Sequence, residues 1–187
     1  MIVLKKFLSL LLLSAAVLQA QSGTIDLRSH GSLEIYLEDN WKMNTSEFGD
    51  RVIVNIEPKD EAINANAALT ITFPEQDRYS TKPKLKTQVE VIGRVYEEGS
   101  VERKSVSREL NTRAGYGFYC SYTDPELVGK PPQKGNFKGI SVGLIRVAPD
   151  VLIELAISAD DFRGKPYQEL LGAIEGMEYK PRRLARR

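Results

Sequence analysis

Reactive side chains are scarce in this chain. Its 187 residues include one cysteine, one histidine and one tryptophan. A single cysteine cannot close a disulfide within the chain, so the fold is not stapled. A single histidine, His30, cannot build a two-histidine zinc site. It could serve a triad, but no G-x-S-x-G stretch exists to present the serine. Gly115-Tyr116-Gly117 opens like a dinucleotide loop, yet no third glycine follows before a helix, and no phosphate-binding P-loop pattern occurs. These patterns imply no cofactor and no catalytic residue.

The first residues, MIVLKKFLSLLLLSAAVLQAQSG, are more informative. Lys5 and Lys6 precede an apolar run from Phe7 to about Ala20, and small residues follow. That order predicts a secretory signal peptide over residues 1–20, cleaved after Ala20 or Ser22. The run is short of the roughly 20 apolar residues that a membrane span needs. The expected location is therefore periplasmic or secreted. Residues 21–179 are enough for a single domain that buries its own core.

The formal charge of +1 conceals an asymmetry. Two cations lie in the leader and five in the last eight residues, which leaves 19 basic against 25 acidic side chains, or about −6, on residues 21–179. Such a body is a poor surface for nucleic acid. The basic tail, residues 180–187, includes Arg182 and Arg183 and suits peripheral contact with an anionic surface.

Apolar periodicity organises the body. Leu33, Ile35 and Leu37 alternate with Glu34, Tyr36 and Glu38, as do Val52, Val54 and Ile56 with their neighbours, which predicts half-buried strands. ALTITF, residues 68–73, is rich in β-branched residues and stops at Pro74. After Pro83 the period changes. Leu85, Val89, Ile92 and Val95 or Tyr96 form one helical stripe, with Thr81 as cap and Gly99 past the end. Strand patterns return in residues 105–110 and 116–122. FKGISVGLIRV and VLIELAIS, residues 137–147 and 151–158, flank Ala148-Pro149-Asp150, a hairpin turn in which proline presets φ. A last helix begins near Pro166, buries Tyr167, Leu170, Leu171, Ile174 and Met177, and ends at Pro181. The predicted fold class is α+β: a mostly antiparallel sheet of six or seven strands flanked by two helices.

This order resembles the PsbP-like superfamily, which includes bacterial envelope proteins and a nuclear Ran-binding protein. GSLEIYLEDNW, the β–β–β–α entry, the long hairpin at Ala148-Pro149-Asp150 and the closing PYQELLGAIEGMEY carry the resemblance, over roughly residues 31–179. It implies an αβα sandwich and a binding or assembly role, with no catalytic signature to carry over.

Individual residues divide into core and candidate contacts. Tyr116, Phe118, Cys120 and Tyr122 share one strand face, so Cys120 is expected to be core filler with a raised thiol pKa. His30 is expected to be solvated. Glu97, Glu98 and Glu102 read as a solvated helix end. Asp160 and Asp161 suit a loop before a helix; paired carboxylates could equally act as acid and base. Trp41 is expected to pack on the sheet, or to rim a ligand groove. The segment DPELVGKPPQKGN, residues 124–136, separates two strands, and loops of that length are often functional. With Lys130, Lys134 and Lys138 it is the expected partner-contacting element. Three readings result: a non-catalytic protein that binds another protein or an envelope component, a hydrolase using Asp160, Asp161 or Glu154, and a small-ligand carrier with a pocket beside Trp41.

Overall fold

The computed structural model describes residues 21–182. The predicted leader and Arg183 to Arg187 lie outside the described residues. The strands are β1 (Gln21–Asp26), β2 (Ser32–Leu37), β3 (Trp41–Phe48), β4 (Arg51–Pro58), β5 (Ala65–Thr72), β6 (Arg108–Thr112), β7 (Gly115–Thr123), β8 (Gly139–Ala148), β9 (Val151–Ala159) and β10 (Glu178–Lys180). The helices are α1 (Lys82–Glu97) and α2 (Lys165–Glu175). Seven strands form an antiparallel sheet in the order β3-β4-β5-β9-β8-β7-β6, and β1-β2-β10 form a second, three-stranded sheet. The α+β class and the large antiparallel sheet agree with the expectation. No described helix is long and apolar enough to cross a membrane.

Alternation sets the register of the large sheet. Val52, Val54 and Ile56 are buried and lie opposite Ile71, Leu69 and Ala67. Burying each of the larger aliphatic chains contributes roughly 1.5–3 kcal/mol. A one-residue slip would turn the set to the opposite face, so this pairing is strongly specified. Pro149-Asp150 turns β8 into β9 as expected. Arg113-Ala114 turns β6 into β7. At the β7–β8 contact a Cβ on Gly143 would fall 2.4 Å from the Phe118 carbonyl oxygen, so only glycine permits that approach.

Side-chain parity on β7 divides the packing. Phe118, Cys120 and Tyr122 cluster with Leu85 and Val89 of α1 and with Val142, Leu144 and Leu152. Tyr119 belongs to a larger cluster with Tyr167, Leu170 and Ile174 of α2, and with Ile25, Leu33 and Ile35 of the small sheet. The α1 stripe resolves on Tyr96, half-buried, because Val95 is 82% exposed. Thr81 occupies the N-cap position in extended backbone, but its side chain makes no capping hydrogen bond.

Several expectations need correction. GSLEIYL does not join the large sheet; β2 is the centre of the small one. β1, β3 and β10 carry no clear sequence pattern. α2 ends at Glu175, not at Pro181; Gly176 donates its N–H to the Gly172 carbonyl and Met177 its N–H to the Ile174 carbonyl. Met177 is buried just past the helix, and Glu178 to Lys180 pair with β2.

Candidate functional site

The segment between β7 and β8 is ordered by main-chain turns and one asparagine. Asp124 N donates to Lys138 O at 2.8 Å and closes the base. Leu127 N to Asp124 O, Lys130 N to Leu127 O and Asn136 N to Gln133 O form turns within it. Asn64, from the β4–β5 connection, reaches across. Its amide nitrogen donates to Gln133 O at 3.0 Å, Asn136 O at 3.3 Å and Asp160 Oδ2 at 3.0 Å, and its oxygen accepts Gly135 N at 3.0 Å. Asp160 Oδ1 accepts Lys138 N at 3.4 Å. A 14-residue span from Pro125 to Lys138 thus has its main chain held by two side chains outside it.

A cleft lies on each side of this loop, and Phe137 lines both. The first, about 390 Å³, sits between the C-terminal turn of α1 and the ends of β7, β8 and β9. Its apolar lining includes Val95, Tyr96, Tyr122 and Ile140; Asp124 and Lys138 are its charged lining residues. The Tyr96 and Tyr122 rings stack with centroids 5.3 Å apart. Tyr122 donates to or accepts from Ser105 Oγ at 2.7 Å, and burial pushes its phenol pKa up to about 12. It is therefore a neutral hydrogen-bonding group at physiological pH. The second cleft, about 290 Å³, is lined by Lys42, Glu57, Lys59, Glu61, Asn64 and Lys134 among others. Four of its charges are paired, Lys42 with Glu57 at 3.1 Å and Lys134 with Glu61 at 2.8 Å.

The expected contact residues therefore separate. Lys138 lines the first cleft and Lys134 the second, while Lys130 and Lys138 share a small recess of about 120 Å³. Trp41 has no such role: it is 1% exposed, and its indole N–H donates to Glu169 Oε2 at 2.9 Å. The groove expected beside it is not formed by an exposed indole. Arg182 is exposed and reaches the Arg28 carbonyl at 3.5 Å, far in sequence from the loop. Arg183 lies outside the described residues.

Other chemistry-bearing groups are engaged structurally. Cys120 is buried beneath α1, and burial pushes its thiol pKa up. His30 is not simply solvated. Its ring stacks on Phe73 with centroids 4.4 Å apart, and Nδ1 lies 2.6 Å from Asp150 Oδ2, joining the turn before β2 to the β8–β9 hairpin. Of the helix-end acids, Glu98 is exposed as expected, but Glu97 and Glu102 are engaged. Glu97 accepts Ser105 N at 2.7 Å, and hydrogen bonds from Ser105 lower its carboxyl pKa. Glu102 accepts Thr123 N and Thr123 Oγ1, both at 2.8 Å. Asp161 accepts Arg163 N at 2.8 Å, and Glu154 sits exposed in mid-strand on β9. Among the described residues no group of three histidine, cysteine or acidic side chains could hold a metal ion.

Sequence reasoning missed Asn64, Glu169 and the Tyr96–Tyr122 pairing. Asn64 stands in an aperiodic polar connection, and Glu169 reads as an ordinary charge on an amphipathic helix. The tyrosines are visible only as stripe and strand residues, because nothing local shows that they meet. No protein-family model matches this chain, and no curated protein matches it in sequence.

Proposed function

We propose that this chain is a secreted or periplasmic, non-catalytic binding or accessory protein, an αβα sandwich of the PsbP-like kind. The observation that carries the reading is the clamped loop with a cleft on each side. A loop already fixed by Asn64 and Asp160 loses little conformational entropy when a partner docks. Such pre-order is expected of a recognition surface. The partner is another protein or a cell-envelope component, and the basic tail adds peripheral contact with an anionic surface. The location rests on the leader sequence. The sandwich is supported by the division of neighbouring β7 residues between a cluster with α1 and a cluster with α2.

A small-ligand carrier is the second reading, favoured by the first cleft. A carboxylate-dependent hydrolase has less support: Asp160, Asp161 and Glu154 line neither of these two clefts. Affinity capture from an envelope fraction tests the first reading, with the mature chain as bait. A Lys130→Glu, Lys134→Glu, Lys138→Glu variant should lose the captured partner. A chain ending at Arg182, which keeps β10 intact, should retain it. Equal capture by the wild type and the loop variant would reject the loop as the contact surface.

A further inference from the structure

We infer that the cleft beside α1 binds a free hydrophobic α-amino acid as its zwitterion. This deepens the small-ligand reading that the same cleft favours and rests on it. Asp124 and Lys138 are tied through the main chain at 2.8 Å, and both line the cleft. Their charged ends do not meet. No basic nitrogen lies within 4.0 Å of the Asp124 carboxylate, and no carboxylate oxygen lies within 4.0 Å of Lys138 Nζ, among the described residues. Of the neighbouring lysines, Lys134 and Lys42 each have a glutamate, whereas Lys59 and Lys130 have no carboxylate oxygen within 4.0 Å among the described residues; what sets Lys138 apart is that it lines one cleft with an unpaired aspartate. Asp124 Oδ1 accepts Glu126 N, which leaves Oδ2 for a ligand.

An unmatched carboxylate and an unmatched ammonium lining one cleft ask for a ligand carrying both signs. An α-ammonium on Asp124 and an α-carboxylate on Lys138 satisfy both with charge-assisted hydrogen bonds. A plain anion would meet Asp124 as well as Lys138, and a plain cation the reverse. The remaining wall is mostly apolar, with Val95, Phe137, Ile140 and the half-buried Tyr96, whose ring is backed by the buried Tyr122, facing an aromatic or branched side chain. A cleft of about 390 Å³ lies near the small end of ligand sites, and so fits a single amino acid better than a long peptide.

Equilibrium dialysis of the mature chain against L-phenylalanine is the test, with 3-phenylpropionate and 2-phenylethylamine as single-charge controls. L-phenylalanine should bind saturably, and each control about tenfold or more weaker, as expected for loss of one charged hydrogen bond. Lys138→Gln and Asp124→Asn should each weaken L-phenylalanine about tenfold. Asparagine keeps an acceptor for Glu126 N, and circular dichroism checks that both variants fold. The amide resonances of Gly99 and Gly139, two cleft residues, should shift on titration. Three results overturn the inference: no saturable binding of L-phenylalanine, equal affinity for 3-phenylpropionate, or affinity unchanged in both variants. If the envelope partner is still captured in any of these cases, only the amino-acid site is rejected. If capture fails too, the binding reading falls with it.

Discussion

Glu169 is a charged residue on an amphipathic helix that has become part of the core. Its side chain is 8% exposed, and Oε2 accepts both Trp41 Nε1 and Asn40 Nδ2 at 2.9 Å. Lys165 Nζ lies 3.2 Å from Oε1, an ion pair without hydrogen-bond alignment. Burial alone pushes the carboxyl pKa up, but the hydrogen bonds from Asn40 and Trp41 and the nearby Lys165 charge outweigh it, and the net shift is downward. The folded carboxyl therefore holds its proton less tightly than the unfolded one. The stability it adds is complete above the ordinary glutamate range and is lost as pH falls through the lowered folded value. Glu169→Ala leaves the buried Trp41 N–H and the half-buried Asn40 amide unmet and should cost about 1–3 kcal/mol in urea unfolding at neutral pH. Glu169→Gln should make stability fall less steeply with acid; parallel pH curves for the two proteins would contradict this. Cys120 gives a second residue-scale expectation. Burial and a raised pKa leave little thiolate, so alkylation of the native protein should be slow and limited by opening. Rapid labelling without denaturant would contradict the packing.

Among the elements, legibility followed burial. β4, β5, the β8–β9 hairpin and both helices each turn a regular apolar pattern toward a covered face, so period two or period 3.6 survives in the sequence. β3 does not. It is an edge strand, and from Lys42 to Phe48 it has no fully buried residue, so WKMNTSEF reads as polar linker. β10 has only three residues and takes its identity from β2. The alternation that placed Cys120 in the core is local. The bonds that order the long loop are not, because Asn64 is 69 to 72 residues from the loop carbonyls it holds. Asn64→Ala should thus act on the loop more than on the sheet. It removes the Asn64 hydrogen bonds between the β4–β5 connection and the loop and leaves only the exposed Glu61–Lys134 ion pair, at a cost of about 1–3 kcal/mol. The measurable result is faster amide exchange and proteolysis between Leu127 and Gly135, with β5 and β9 protection unchanged. Uniform loss of protection would mean that the clamp supports the whole sheet instead.

On the whole molecule, charge separates body from tail as packing separates its two sheets. The two sheets share one hydrophobic cluster, so the small sheet cannot peel away without exposing Ile25, Leu33 and Ile35. Lys180 is part of that assembly, paired with Glu34 at 2.5 Å, and so is not a free tail cation. Arg182 donates to the Arg28 carbonyl at 3.5 Å and has no ion pair among the described residues, and Arg183, Arg186 and Arg187 follow it in the sequence. An acidic body of about −6 is repelled by an anionic membrane. Any attraction must therefore come from these last arginines, each adding about 1 kcal/mol near the surface. Removing residues 183–187 deletes three of them. Affinity of residues 21–187 for phosphatidylglycerol-rich vesicles should then fall about a hundredfold in co-sedimentation, by the same per-charge figure. The difference should shrink as salt rises, because exposed charges are screened beyond roughly 10 Å at 0.1 M. The folded body should be unaffected, since β10 and its pairing with β2 end at Lys180. Vesicle binding that survives truncation, or ignores salt, would move the contact from the tail to the body and leave the arginines without a surface to meet.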